Sequence, residues 1–230
     1  MAAERVTGPV RIRGLRVWDA PVRLFHWLVV ALVGVSVVSG KMGGNAMQVH
    51  EWSGSAILTL VLFRLAWGVV GSTYARFASF VRGPVATLSY GIALVRGRAP
   101  FHAGHNPLGG WSILLMLASL GLQAGTGLFA NDDIMLEGPL AAHVSKETSD
   151  LLTRIHHANL NVLLALIAVH VAAVLFYLLA KRENLIAPMF TGRKRPPEHT
   201  QAEDARGGPL WLGAVVLAAC AGIVWWVVRM

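Results

Sequence analysis

Cysteine is almost absent: Cys220, inside an apolar run, is the only one. A single thiol excludes a disulfide framework, a thiolate zinc site and an iron–sulfur cluster. It also excludes a covalently attached c-type haem, which needs C-x-x-C-H. Charge is scarce as well. Charged residues make up 14% of the chain and hydrophobic ones 55%, with a mean hydropathy of +0.56. Soluble domains carry about 25% charged residues, so this composition is that of a membrane protein. The net charge of +8 does not imply a nucleic-acid partner, because the basic residues sit in short blocks between apolar runs. That is the pattern of topology signals rather than of a binding face.

What the chain has instead is long apolar runs. A helix needs about 20 apolar residues to cross a bilayer, and five segments qualify, near 23–41, 50–71, 108–130, 151–180 and 209–228. The first is read as a retained span and not a cleaved leader, since it contains His26 and Trp27 where a leader is plainly aliphatic. The stretch 80–96, broken by Gly83 and Pro84, is too short to span and is expected to lie in the interface as an amphipathic helix. Trp27, Trp52, Trp67 and Trp111 lie near span ends and read as interface anchors. No internal repeat is evident. Arginines and lysines mark the N-terminal tail, the loop after the second span and the loop after the fourth, whereas the loop at 131–150 is acidic. The positive-inside rule puts the N-terminus in the cytoplasm, and the acidic loop and the C-terminus outside. The expected organisation is a cytoplasmic tail at 1–22, a four-helix unit at 23–185, a flexible cytoplasmic linker at 186–208 and a fifth transmembrane helix at 209–230.

Of nine histidines, four fall within the spans at matching depths. His156 and His170 are fourteen residues apart. Fourteen steps turn about 1400°, which puts both on one face, about 21 Å apart along the axis. His26 opens the first span at the depth of His170, and His50 opens the second at the depth of His156. Two facing imidazole pairs at two depths are what two six-coordinate b haems require, each iron taking one nitrogen from each of two helices. Arg64 follows His50 by fourteen residues, on the same face and at the level of the His26–His170 pair. A charge inside a span needs a partner, and a haem propionate supplies one. Gly34, Gly40 and Gly54 would let a porphyrin approach the backbone. His157, about 100° round from His156, is the alternative ligand. The fold class expected is therefore all-α: an integral membrane four-helix bundle binding two b haems, with a fifth C-terminal helix.

These residues also resemble a family. "VWDAPVRLFHW" at 17–27, "HEWSG" at 50–54, "LFRLAWGVVGSTYARF" at 62–77, "GHNPLGGW" at 104–111, "TGLFANDD" at 126–133, "HHANLNVLLALIAVH" at 156–170 and "KRENLIAPMFTGRKR" at 181–195 are similar to stretches of the bacterial cytochrome b561 family. That family includes the cytochrome b subunits of nickel–iron hydrogenases, and its axial positions fall on His26, His50, His156 and His170. The resemblance covers about 17–195 and implies electron transfer in the bacterial inner membrane between the quinone pool and a redox partner outside, a c-type cytochrome or a hydrogenase. A quinone site on the cytoplasmic side, near His105, Trp111 and Arg64, is expected. Two other functions compete. A self-contained quinone-linked oxidoreductase taking electrons from a small outer donor such as superoxide needs a cationic funnel, and the outer loop is acidic. A non-redox transporter needs carboxylates facing the histidines, and the spans contain almost none.

Overall fold

The computed structural model describes residues 14–134, 136–197 and 202–230. The arginines of the tail before residue 14, and His199 in the linker, lie outside the described residues. A two-residue strand β1 (Leu15–Arg16) leads into α1 (Ala20–Met42). A 3-10 turn at Gly44–Ala46 joins it to α2 (Met47–Val70), followed by the short α3 (Phe77–Phe80) and α4 (Pro84–Val95). Then come α5 (Pro107–Gly127), a 3-10 turn at Ala141–His143, α6 (Lys146–Leu179), α7 (Ile186–Thr191), strand β2 (Arg193–Lys194) and α8 (Leu210–Val227). Five of these helices, α1, α2 with its preceding turn, α5, α6 and α8, are long and apolar enough to cross a membrane. The protein is a multi-pass membrane protein.

The starts of the long helices are written locally. Asp19 caps α1 by accepting the Val22 N–H at 2.8 Å, with Pro21 in the first turn. Asn106 caps α5 by accepting the Gly109 N–H at 2.8 Å, ahead of Pro107, and Ser145 caps α6. Each side chain satisfies an amide that the helix leaves free. α1 reverses into α2 through Gly43 and Gly44, whose φ angles of +64° and +53° are open to glycine and strained for other residues.

Helices α1 and α2 pack as one antiparallel pair and α5 and α6 as a second, and α2 joins the two pairs through α5. The end of the bundle where α1 begins is called here the near face, and the opposite end the far face. At mid-depth Ile57, Val61, Leu120 and Leu163 form a core, with Val29, Leu32, Val33 and Ile167 against it. A second core closes the near face and includes Val17, Trp18, Val22, Phe63 and Trp67, with Cys220 of α8. The other faces of the long helices expose Val30, Val38, Val69, Leu164, Val169 and Leu175, as lipid-facing surfaces do.

Two expectations change. Trp67 is no interface anchor: it is completely buried, stacks on Phe63 and donates its indole N–H to Asp19 Oδ2 at 3.0 Å, so the Asp19 carboxylate ties the start of α1 to the end of α2. The described part of the linker is held in place. Asp204 accepts the Arg16 N–H at 2.6 Å, Ala205 N–H donates to the Arg16 carbonyl at 2.7 Å, and Tyr74 donates to the Glu203 carbonyl at 2.7 Å. β2 pairs antiparallel with β1, so the chain on both sides of 198–201 is strapped across the near face. The fifth helix, too, packs on the bundle: a Cβ at Gly213 would come within 3.0 Å of Pro21 and 3.6 Å of Trp67. The stretch 80–96 is helical as expected, with Val85, Leu88, Ile92 and Val95 of α4 exposed.

Candidate functional site

On the far face, His50 stands in the first turn of α2 and His156 ten residues into α6. Their ring centroids are 6.0 Å apart and their planes 79° apart. Each ring is anchored through one nitrogen. His50 Nδ1 donates to the Ser36 carbonyl at 2.8 Å, and His156 Nδ1 donates to the Gln123 carbonyl at 2.9 Å. A carbonyl only accepts, so both Nδ1 atoms carry a proton, and in this tautomer of imidazole the lone pair is on Nε2. That is the state of a metal-ligating imidazole, whose second nitrogen is held by an outer-shell acceptor. Iron–nitrogen bonds of about 2 Å on either side of one iron separate two axial ring centroids by about 6 Å. The residues on the far face fit a bis-imidazole haem.

His157 is exposed, its ring centroid 6.1 Å from that of His156. Behind His156, Asn159 donates to the Ser119 carbonyl at 3.0 Å and to Gln123 Oε1 at 2.7 Å, while Ser119 donates back to Asn159 Oδ1 at 3.1 Å. This buried network locks α6 to α5 beside the carbonyl that His156 uses. Sequence reading passed over Asn159, Ser119 and Gln123. Their signal was three amide and hydroxyl side chains inside apolar spans, each in need of a partner.

The near face brings together His26, His170, Arg64 and His105, close enough that His26, His170 and Arg64 each disfavour a charge on His105. His26 Nδ1, Arg64 Nη1 and His105 Nδ1 are buried without hydrogen-bond partners among the described residues. Arg64 is 3% exposed and sits over the Phe77 ring with its Cζ 4.8 Å from the ring centroid. A buried guanidinium with an unmet donor calls for an anion, which a haem carboxylate supplies. The near face therefore also fits the group. His105 is wedged between Trp18 and Phe80, at ring distances of 4.5 and 4.8 Å. Burial, then the nearby Arg64 and Lys194, push its imidazole down to about 3. Trp111, expected beside it, is turned outward and donates to the Arg82 carbonyl at 2.9 Å.

The glycines divide. A Cβ on Gly34 or Gly54 would meet nothing within 4 Å, whereas the space at Gly40 holds the His50 ring itself, with Nδ1 2.8 Å from the Cβ position. Gly40 makes room for the ligand rather than for a porphyrin.

No solved structure matches the chain. The "Probable Ni/Fe-hydrogenase B-type cytochrome subunit" of Rhizobium leguminosarum bv. viciae is 25% identical over 212 residues, which cover 77% of this chain and 87% of that protein. The family profile described as "Prokaryotic cytochrome b561" matches residues 17–192, which contain the whole four-helix unit. The chain belongs to the prokaryotic cytochrome b561 family, a membrane electron-transfer cytochrome that carries haem b.

Proposed function

We propose that this cytochrome carries electrons across the bacterial inner membrane, between the quinone pool and a periplasmic redox partner, using two bis-histidine b haems. His26 and His170 would hold one at the near face, His50 and His156 the other at the far face. Each iron, when bound, takes up and releases one electron. The observation that carries the reading is the far-face pair, two imidazoles with ring centroids 6.0 Å apart and each Nδ1 committed to a carbonyl, which leaves Nε2 as the ligating nitrogen of each.

The chain's own residues divide the remaining work. The carbonyls of Ser36 and Gln123 orient the far-face rings and hold a proton on each Nδ1. Arg64 would take a propionate at the near face, with Gly34 and Gly54 leaving room along α1 and α2. The near face lies in the cytoplasm by the charge of its loops, and His105 with Arg64 would line a quinone site there. The acidic segment 131–150 faces the periplasm. Its Lys146 pairs with Asp133 and Asp150, while the exposed Glu137 and Glu147 would meet a basic partner, either a c-type cytochrome or a hydrogenase. The same balance of charge disfavours direct oxidation of superoxide, which would need a cationic approach.

The reading is tested in vesicles that enclose ferricyanide, with menadiol or another quinol analogue added outside. Wild-type protein is expected to reduce the enclosed ferricyanide, and His26→Ala and His50→Ala each to abolish that reduction. Undiminished transfer in either variant would contradict a path that uses both pairs.

A further inference from the structure

The two histidines of the far face sit in the same local device, built twice. In α1, residues 35–40 read VSVVSG, and in α5, residues 122–127 read LQAGTG. In each, a hydroxyl residue precedes the last glycine and bonds back into its own helix. Ser39 Oγ donates to the Val35 carbonyl at 2.7 Å and lies 3.3 Å from the Ser36 carbonyl. Thr126 Oγ1 donates to the Leu122 carbonyl at 2.7 Å and lies 3.2 Å from the Gln123 carbonyl. Such back-bonding bends a helix and tilts its carbonyls outward. In each copy the carbonyl four residues before the glycine is the one that receives the histidine Nδ1–H. In each copy the glycine leaves the space the ring occupies. A Cβ at Gly40 would stand 2.8 Å from His50 Nδ1, and one at Gly127 would stand 3.0 Å from His156 Cε1. The composition of the two segments differs at every other position, so the repeat is not evident in the sequence and emerges only as matched contacts.

We propose that Gly40 and Gly127, with Ser39 and Thr126 before them, are positioning residues that seat His50 and His156 as the axial pair of one haem, an inference that rests on the dihaem reading above. A methyl group at either glycine displaces the ring from its seat, breaks the Nδ1–H bond to the carbonyl and turns Nε2 away. The effect is confined to the far-face haem. It is larger at Gly40, where the encroachment is closer. Losing the carbonyl bond also makes the imidazole a poorer donor to ferric iron, which raises the midpoint potential.

The test uses the full-length protein in detergent, with haem content, reduced-minus-oxidised spectra and potentiometric titration. His156→Ala identifies which spectral component belongs to the far face. Gly40→Ala is expected to weaken retention of that component about 10-fold or more and to raise its potential in the haem that remains. Gly127→Ala should do the same to a lesser degree. Ser39→Ala and Thr126→Val should shift the same potential, and Ser39→Thr and Thr126→Ser should restore it. Gly222→Ala, in α8 with nothing within 4 Å of its Cβ position, is the neutral control. The near-face component, unchanged in the same samples, reports that each variant is folded. Wild-type protein with fewer than two haems would sink the dihaem reading itself. Two haems in the wild type, with the far-face spectrum and potential unmoved in both glycine variants, would overturn the seat alone. Equal loss of both haems in both variants would overturn it too, since the clash is with one imidazole.

Discussion

His50 and His156 face each other with their ring planes 79° apart, each turned by its own carbonyl anchor. Axial imidazoles that are nearly perpendicular leave the iron with a strongly anisotropic low-spin ferric signal, whereas parallel planes give a more rhombic one. Electron paramagnetic resonance of the oxidised protein should show a large-g component that disappears in His156→Ala and survives in His157→Ala. Its loss in His157→Ala would reassign the ligand to the neighbouring position.

Arg64 predicts opposite effects on the protein with and without haem. Arg64 makes no ion pair among the described residues, so without a propionate its buried guanidinium is destabilising, and an apolar side chain of similar volume relieves that cost by about 1–4 kcal/mol. With a propionate bound, the same substitution removes the partner of a buried carboxylate. Arg64→Met should therefore raise the thermal midpoint of haem-free protein and lower that of the loaded protein. A shift of the same sign in both states would mean Arg64 has no haem carboxylate to meet.

His105 makes stability depend on pH in a defined window. Its folded value of about 3 lies below the ordinary 6.5. Between those values the unfolded chain binds the proton and the folded one does not, so stability falls as pH drops. The contribution is complete above pH 6.5 and is lost progressively down to about 3. In detergent, His105→Gln should flatten the decline of unfolding free energy from pH 6.5 toward acid. An unchanged slope would mean the ring is solvated.

Trp67 holds the near face together through packing and one hydrogen bond to Asp19. Trp67→Ala should cost about 3–5 kcal/mol, and Trp67→Phe, which keeps the stacking on Phe63, distinctly less. Chemical unfolding in detergent measures both. A cost for Trp67→Ala no larger than for Trp67→Phe would mean that α8 and the strap close over the cavity.

Much of this architecture was legible in the sequence because bilayer physics is strict: helix length and apolar runs mark five spans whose ends agree with the structure to within five residues. The histidine pattern was legible for the same reason, since helical periodicity alone puts His156 and His170 on one face. The seat at Gly40 and Gly127 was not, because it depends on contacts between helices and on carbonyls, which leave no side-chain signature. Trp67 was misread because a tryptophan near a span end can face the interface or the core equally well, and the Asp19 carboxylate that decides the matter lies 48 residues away. The docking of 202–206 escaped notice because polar, charged sequence reads as solvated until a partner strand and free backbone groups are known.

The most direct measurement is a pyridine haemochrome assay on detergent-purified protein, with reduced-minus-oxidised spectra of the single histidine variants. The account predicts two b haems per chain. His26→Ala and His170→Ala should remove one spectral component, and His50→Ala and His156→Ala the other. A single haem in the wild type, or variants that do not group in those pairs, would contradict it.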